Sequence, residues 1–455
     1  MIRRLCATLL FSLALPAHAT QDLFAVTTTY EVVGSTGRID LDDYGTTTNE
    51  FTVHSDAVVR SHGRYVFVVN RLFADNVLVL DAGDDYRVVR QFSVADTGLN
   101  PRDIEMVDET KAYVTLFESN DLLICNPLTG ATLGTIDLSS FVVEDDFVEA
   151  DQMLRVGDRL FVALQNLDRR VLPWAVTGSS MLVVIDTTTD TIVDADPETS
   201  GIQGVPFQVQ NPYWRLAWDA DRQRVLSIQT GVFGVLDGGV EVVDPFTLRS
   251  EGLLVTEAAL GGDLLDFALV SPTLGWAMIS RSDFSTCLVR FDPSTGATID
   301  EFLCTPGFDL ADMELSSDGR LFVGDRRAAN PGVRVFDATT GAALAGPIST
   351  GLPPFDFVLL EGVPTDAPSV PRNEALAAYP NPFNPRVVIE VEGMEDGRVE
   401  IVDARGRIVA ERVLQAGRAV WDGTARDGRP VASGVYRGRL AGRPDIRPVP
   451  LTLVR

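Results

Sequence analysis

Six aspartates and one arginine recur along this chain at intervals of 44 to 64 residues, each at the start of a short apolar run. These residues are Asp56, Asp103, Asp151, Arg215, Asp266, Asp312 and Asp356. If the fold gathers them in one place, six like charges repel one another and favour a cation between them. Carboxylate oxygens are the ligands that Ca²⁺ prefers. The aspartates therefore predict either a Ca²⁺ site or a structural ring, in which each carboxylate accepts hydrogen bonds from backbone N–H groups of the next repeat.

A second candidate site surrounds Arg215, the exception in this series. Tyr213 and Trp214 precede it directly, and Trp174 lies in one of the longest connections between apolar runs. Aromatic rings beside a guanidinium can bind a sugar, a carboxylate or a peptide. We therefore expect Trp174, Tyr213, Trp214 and Arg215 to bind a ligand. The alternative is that the aromatic side chains only fill a widened junction in the fold.

Motifs of common enzyme classes are absent from the sequence. It contains no G-x-S-x-G, H-E-x-x-H, P-loop or C-x-x-C, which would mark a serine hydrolase, a zinc protease, a nucleotide-binding site or a dithiol centre. Only His54 and His62 follow the first nineteen residues, so histidine-based catalysis has few candidates. We expect a binding or scaffold protein without catalytic residues. The alternative is a hydrolase or lactonase that uses a cation held by the aspartates.

The interval between the aspartates also predicts the fold that positions them. A repeat of about 45 residues, made only of short apolar runs and turns, is typical of β-propeller blades. An Asp-x-x-Thr turn recurs between the last two runs of most repeats, as at residues 292–296. We predict an all-β protein with a seven-bladed propeller at residues 20–361. A strand at residues 355–360 completes the first blade, which closes the ring and leaves no free sheet edge.

This closure and the D-x-x-T-G turn resemble those of seven-bladed propellers of the YVTN and amine-dehydrogenase β-chain type. The resemblance covers about 340 residues, and its motifs are general to blades, so it implies a fold and no activity. In such a fold the first strand of each blade lines a central channel. The aspartates are then expected at one mouth of that channel, beside the long loops of blades 4 and 5.

Residues 362–378 are rich in proline and predict an extended linker. Beyond it, six short strands are predicted within residues 379–455, which suggests a small Ig-like β-sandwich. The segments 379–383, 401–409, 421–423 and 428–436 resemble the Ig-like domain of flagellar hook-cap (FlgD) type and the C-terminal sorting domain of type IX secretion cargo. The resemblance implies export or surface attachment through the secretion machinery.

The first 19 residues predict a cleaved signal peptide, with Arg3 and Arg4, an apolar stretch and Ala-His-Ala at its end. The protein is then secreted or displayed on the bacterial cell surface, after transit through the periplasm. In that oxidising environment Cys287 and Cys304 are expected to form a disulfide, because they face each other across one hairpin.

The formal charge of −26 at pH 7 lies mainly before residue 380. An acidic body of this kind argues against a nucleic-acid partner and against anionic lipid. No apolar stretch after residue 19 is long enough to span a membrane. The expected partner is an extracellular glycan, peptide or protein.

Overall fold

The computed structural model is composed almost entirely of β-strands, which confirms the predicted fold class. It describes residues 19–31, 33–94, 98–143, 145–364, 376–379, 381–391, 394, 396–403, 406–415, 417–443, 446 and 448–454. The helices described are single turns: the α-helix Glu257–Leu260 and the 3₁₀ helices Ala82–Asp84 and Ser139–Phe141. Among the described residues, none of these helices has the length and apolar character needed to cross a membrane. The predicted signal peptide lies outside the described residues, apart from Ala19.

Seven antiparallel sheets form the predicted propeller, and the strands of each sheet are named a to d from the central channel outwards. Blade 1 contains β1 (Ala19–Thr27), β2 (Val33–Asp40) and β3 (Thr46–His54) as strands b, c and d. Blade 2 contains β4 (Val58–His62), β5 (Tyr65–Asn70), β6 (Asn76–Asp81) and β7 (Arg87–Ser93). Blade 3 contains β8 (Pro101–Asp108), β9 (Lys111–Leu116), β10 (Asp121–Cys125) and β11 (Thr132–Asp137).

Blade 4 has a larger set of strands than the others. It contains β12 (Ala150–Val156), β13 (Arg159–Leu164), β16 (Met181–Asp186) and β17 (Thr191–Val193), with β18 (Val205–Pro206) also paired to β16. A two-stranded hairpin of β14 (Leu167–Asp168) and β15 (Ala175–Val176) rises from its b–c connection.

Blades 5 to 7 follow the regular four-strand order. Blade 5 contains β19 (Pro212–Asp219), β20 (Arg224–Gln229), β21 (Gly239–Asp244) and β22 (Arg249–Thr256). Blade 6 contains β23 (Asp263–Ser271), β24 (Leu274–Ser280), β25 (Thr286–Asp292) and β26 (Ala297–Thr305). Blade 7 contains β27 (Leu310–Leu315), β28 (Arg320–Asp325), β29 (Gly332–Asp337) and β30 (Ala343–Ile348).

The middle strands of the blades are apolar on both faces because each blade packs between two others. Every residue of β5 and β6 is buried, whereas the outer strand β11 exposes most of its residues. A strand covered on both faces has a continuous apolar sequence, and an outer strand does not. This pattern explains the apolar runs that made the repeat visible in the sequence.

The ring closes in blade 1 through a strand from the far end of the propeller, as predicted. β31 (Pro354–Pro364) pairs antiparallel with β1 and is strand a of this blade. Phe357 of β31 packs against Phe322 of blade 7 in one buried cluster. β31 extends to Pro364, beyond the predicted boundary at residue 361, because Ala19 and Thr20 of β1 continue the pairing.

Blade 6 carries a cross-strand disulfide. Cys287 of β25 lies opposite Cys304 of β26 in the strand register, and their sulfur atoms are bonded at 2.06 Å. The structure thus places together the two cysteines that the hairpin register predicts. Cys125 is a free, buried thiol in blade 3.

The C-terminal part is a second, smaller β-domain of seven strands that form a nearly closed sheet. Its strands are β32 (Leu376–Tyr379), β33 (Val387–Val391), β34 (Asp396–Val402), β35 (Ile408–Gln415), β36 (Arg418–Trp421), β37 (Gly434–Leu440) and β38 (Val449–Leu453). Trp421 packs in its core against Phe383 and, edge-on, against Tyr436. The six predicted strands agree with β33–β38, and β32 is an additional strand within the predicted linker. Residues 365–375 of that linker lie outside the described residues.

The C-terminal domain contacts the outer strand of blade 2. Tyr379 packs against the apolar cluster between blades 1 and 2, and the side chain of Gln91 in β7 donates a hydrogen bond to the carbonyl of Asn381. This contact covers part of an outer strand that otherwise presents an unpaired edge.

We predict that the propeller does not fold without β31. A chain of residues 20–352 lacks strand a of blade 1 and the closing contacts, so it should lose cooperative thermal unfolding, measured by circular dichroism. The control is a chain of residues 20–364, which retains β31 and should unfold cooperatively. Equal melting temperatures of the two chains would contradict this account of closure.

Candidate functional site at the mouths of the central channel

Four of the six aspartates meet in the channel, where they are buried. These are Asp103, Asp266, Asp312 and Asp356. Three of them accept a hydrogen bond from a backbone N–H group of the next blade. The distances are 2.7 Å from Met153 N to Asp103 Oδ2, 2.7 Å from Phe357 N to Asp312 Oδ2 and 2.8 Å from Val59 N to Asp356 Oδ2. These carboxylates therefore join neighbouring blades, which is the structural alternative considered from the sequence.

Arg60 links four blades within the channel. It lies on β4 of blade 2, and its Nε is 2.6 Å from Asp103 Oδ1 of blade 3. Its Nη1 is 3.1 Å from Asp356 Oδ2 of blade 1, and its Nη2 is 2.9 Å from Gln152 Oε1 of blade 4. The planar guanidinium has donors in several directions, so one side chain satisfies acceptors from three neighbours.

Arg215 has the same role on the other side of the channel. Its Nε is 2.8 Å from Asp266 Oδ1 of blade 6. Its Nη2 lies 3.3 Å from Asp312 Oδ1 and 2.8 Å from Glu314 Oε1, both in blade 7. Arg215 is thus directed into the channel and away from Tyr213 and Trp214. Its donors are used by carboxylates of the channel, and its role in binding a ligand together with these two aromatic residues stays a prediction.

Asp56 and Asp151 pair with other arginines; Asp151 is also fully buried, whereas Asp56 is partly exposed. Asp56 lies in the turn before β4 and accepts a hydrogen bond from Arg71, with 2.6 Å between Oδ1 and Nη2. Asp151 accepts from Arg102 and, at 2.7 Å, from Gln165 Nε2. The register of β12 shifts between Ala150 and Met153, and such a bulge redirects the side chains that follow it. As a result the side chain of Gln152, next to Asp151, contacts Arg60.

The channel does not have the geometry of the Ca²⁺ site predicted from the six aspartates. A Ca²⁺ ion needs several oxygen ligands at about 2.3–2.6 Å, so their atoms must converge. Among the described residues, one group of three potential metal ligands has ligand atoms that all lie within 4.8 Å of one another. It consists of Cys287, Glu301 and Cys304. Two of these are joined in the disulfide. In the channel, guanidinium groups occupy the positions between the carboxylates where a cation would compensate their charge.

Carboxyl groups in the channel have raised pKa values. Burial raises the pKa of Asp312 well above its usual value, and the nearby Asp356 and Glu314 add to the effect. Burial likewise raises the pKa of Asp266. Burial, and then the charge of Asp103, raise the pKa of Glu105 to about 8. Two arginines therefore compensate only part of the negative charge of the channel.

The aromatic residues predicted near Arg215 cover one mouth of the channel. Trp214 of blade 5 lies edge-on to Phe355 of blade 1 on the opposite side, with 5.6 Å between ring centroids. Tyr213 lies 6.0 Å from Trp214, and Tyr30 lies 5.9 Å from Phe355. Arg326 stacks on Tyr30 at 4.1 Å. The four rings form an aromatic arc across the mouth, above the buried charges.

Trp174 belongs to a neighbouring group on blades 3 and 4. Its ring lies 6.1 Å from that of Phe117, and the guanidinium of Arg169 is 5.5 Å from it. The guanidinium of Arg102 lies over the Phe117 ring, 4.9 Å from its centroid. The structure therefore divides the four predicted ligand-binding residues. Tyr213 and Trp214 are in the aromatic arc, Trp174 is in a second group, and Arg215 is below the arc.

Both aromatic groups lie on one face of the propeller, which we call the loop face. It carries the b–c connections and the connections from strand d to strand a of the next blade. Among the described residues of the propeller, twenty large apolar side chains are exposed, and fifteen of them are on this face. They are Tyr30, Leu72, Phe73, Val143, Val171, Leu172, Trp174, Ile202, Tyr213, Val232, Phe233, Val235, Leu236, Phe284 and Phe308. The other five are Leu133, Trp218, Phe246, Ile299 and Leu344.

Most of these residues were not identified from the sequence, although a signal was present. The b–c connections of six blades each contain an aromatic residue, whereas turns normally favour small polar ones. These residues are Tyr30, Phe73, Phe117, Trp174, Phe233 and Phe284. Aligning the blades on their b–c connections would have shown the pattern.

Comparison with known proteins supports the fold. No protein-family model matches the sequence, and no curated protein is similar to it. The periplasmic gluconolactonase of Pseudomonas aeruginosa is 13% identical, with a TM-score of 0.53 over 76% of this chain and 100% of that one. A putative 6-phosphogluconolactonase from Bacteroides fragilis is 12% identical, with a TM-score of 0.51 over 75% and 98% of the two chains. A functionally unknown protein from Desulfotomaculum acetoxidans is 10% identical, with a TM-score of 0.50 over 75% and 99%. What they share with this chain is the propeller fold.

The raised pKa values in the channel predict that the protein becomes less stable as the pH rises. Carboxyl groups with raised pKa values bind more protons in the folded state than in the unfolded state, so unfolding becomes easier between about pH 5.5 and 8.5. We expect a lower melting temperature at the higher pH and a smaller difference in Glu105→Gln, whose pKa of about 8 falls in this range. The control is Asp137→Asn, because the pKa of Asp137 is lowered and its titration occurs at lower pH. A melting temperature that rises over this range would contradict the prediction.

Proposed function

We propose that this is an exported, non-catalytic binding protein that captures an extracellular ligand on the loop face of its propeller. The observation that carries the proposal is the concentration of exposed apolar side chains on that face. Large exposed apolar patches on a soluble protein mark interaction sites. A rigid scaffold with variable loops is a common arrangement for binding.

The aromatic arc is the centre of the proposed binding surface. Tyr213 exposes 37% of its surface, and Trp214 and Phe355 are half-buried beside it. Rings of this kind provide flat contact area that loses little conformational entropy on binding. Trp174 extends the same surface towards blade 4. A glycan or a peptide that contacts both groups is the ligand class that we infer.

A lactonase function has less support from the geometry. The opposite mouth of the channel has a cavity of about 340 Å³, lined in part by Arg215, Trp218 and Glu314. A carboxylate that acts as general base must accept a proton from water, but of the carboxylates that line this cavity Glu314 is paired with Arg215 at 2.8 Å and Asp219 with Arg222 at 2.7 Å. The two lactonases named above share the fold with this chain at 12% and 13% identity. A shared fold does not imply a shared activity.

We predict that Tyr213→Ala and Trp174→Ala each weaken capture of a ligand by about tenfold or more. Wild-type and variant proteins are screened on a glycan array and a peptide array. The matched control is Trp218→Ala, because Trp218 has the same 37% exposure as Tyr213 and lies on the same strand, at the other mouth. Capture that depends on Trp218 and not on Tyr213 would contradict the proposal. So would hydrolysis of gluconolactone by the wild-type protein.

Export and surface attachment are the proposed roles of the two ends of the chain. The residues before the propeller have the pattern of a signal peptide, and the cross-strand disulfide suits an oxidising compartment. The C-terminal domain is built around Phe383, Trp421 and Tyr436, which belong to the segments that resemble sorting domains.

We predict that removal of the C-terminal domain blocks surface display in a bacterium that has a type IX secretion system. The full chain should reach the surface, and a chain that ends at residue 364 should remain in the periplasm, as detected by protease accessibility on intact cells. The shorter chain keeps a complete propeller, so a folding defect does not explain its retention. Equal surface display of both chains would contradict this role of the C-terminal domain.

A further inference from the structure

Three phenylalanines from separate loops meet on the loop face, away from the aromatic arc. Phe233 belongs to the b–c connection of blade 5, Phe284 to that of blade 6, and Phe308 to the connection from blade 6 to blade 7. The ring centroids of Phe233 and Phe308 are 6.1 Å apart, and those of Phe284 and Phe308 are 5.8 Å apart. Each side chain is about half exposed. We call this group the phenylalanine patch.

One of these rings belongs to a residue with a strained backbone. Phe284 has a φ of 64°, in the left-handed region that glycine and asparagine adopt most easily. A large residue in this region is strained. The turn itself is fixed by a backbone hydrogen bond of 2.8 Å from Phe284 N to Arg281 O. Asparagine at this position would keep the turn and relieve the strain.

Carboxylates adjoin the patch. Asp283 directly precedes Phe284, and Asp309 directly follows Phe308. Asp283 accepts hydrogen bonds from the hydroxyl and the backbone N–H of Ser285, which lower its pKa and keep it charged at neutral pH. The arginine closest in sequence, Arg281, is paired with Glu301. Arg326 and Arg327 also act on Asp309, but Arg327 is paired with Asp325 at 2.6 Å and Arg326 donates hydrogen bonds to the carbonyls of Thr28 and Pro354. The surroundings of the patch are therefore apolar, and their carboxylates outnumber the arginines that are not paired with a carboxylate.

We propose that the phenylalanine patch is a docking site for a polypeptide that inserts apolar side chains between the rings and places lysine or arginine beside Asp283 and Asp309. Charge complementarity selects this partner, because an apolar segment with basic flanks matches both features of the surface. An anionic lipid surface would be repelled by the same carboxylates. The site lies on the same loop face but differs from the aromatic arc, so loss of binding at one can be distinguished from loss of binding at the other.

Selection of random peptides on the immobilised full-length protein tests this site. We expect enriched peptides to combine a large apolar residue with neighbouring lysine or arginine. A synthetic copy of an enriched peptide should bind Phe284→Asn and Phe308→Ala about tenfold or more weakly than the wild type, measured by calorimetry. Asp283→Asn should weaken binding at low salt more than at high salt.

The control for exposure is Phe246→Asn, since Phe246 is exposed on the opposite face of blade 5. Tyr213→Ala should also leave this peptide bound, which separates the patch from the aromatic arc. Phe284→Asn should have a melting temperature equal to or above that of the wild type, because strain is removed and no buried contact is lost.

Four results would overturn the proposal. The first is an enriched peptide that binds Phe284→Asn as well as it binds the wild type. The second is enrichment of peptides without basic residues. The third is self-association of the wild type in sedimentation that Phe284→Asn abolishes, which would make a second copy of this chain the occupant. The fourth is binding to vesicles of phosphatidylcholine and phosphatidylglycerol that depends on Phe284.

Discussion

The closed ring of blades depends on one buried charge network, centred on the guanidinium groups of Arg60 and Arg215. The inner strands of neighbouring blades meet at the channel. At three of these junctions a carboxylate accepts a hydrogen bond from a backbone N–H group of the next blade. These carboxylates would repel one another without the two arginines between them. Loss of one partner from a buried ion pair costs about 3–5 kcal/mol, because the remaining charge is uncompensated. The network therefore joins the inner strands of neighbouring blades, including β31 of blade 1.

The closed ring supports loops on the loop face in which aromatic residues have a strained backbone. Four aromatic residues of its loops or strand ends have left-handed φ values: Tyr30, Phe73, Trp214 and Phe284. Strained backbone of this kind tends to collect at functional sites and is stabilised by the rest of the fold. Trp214 also lies over the channel against Phe355, so the ring that is proposed to contact a ligand also covers the charge network.

Most of the architecture was predictable because it is local and repeated. The interval near 45 residues, the apolar b and c strands and the Asx turns predicted seven blades. Pairing of the first and last segments predicted the closure by β31. The facing positions of Cys287 and Cys304 followed from counting residues across one hairpin. β32 was not predicted, since a proline-rich composition indicates an extended linker, and Leu376–Tyr379 becomes a strand only by pairing with β33.

The sequence by itself determined which kinds of residues line the channel and which loops are aromatic, because spacing along a strand sets the position of a residue. Only the tertiary structure decided which of them meet. The bulge in β12 brings Gln152 to Arg60 in place of Asp151, and the late start of β4 leaves Asp56 in a turn. Arg215 pairs with carboxylates of the channel. The phenylalanine patch joins one loop of blade 5, one loop of blade 6 and the connection from blade 6 to blade 7. Side-chain direction at a bulge and contact between separate loops depend on non-local packing, which neither spacing nor residue type specifies.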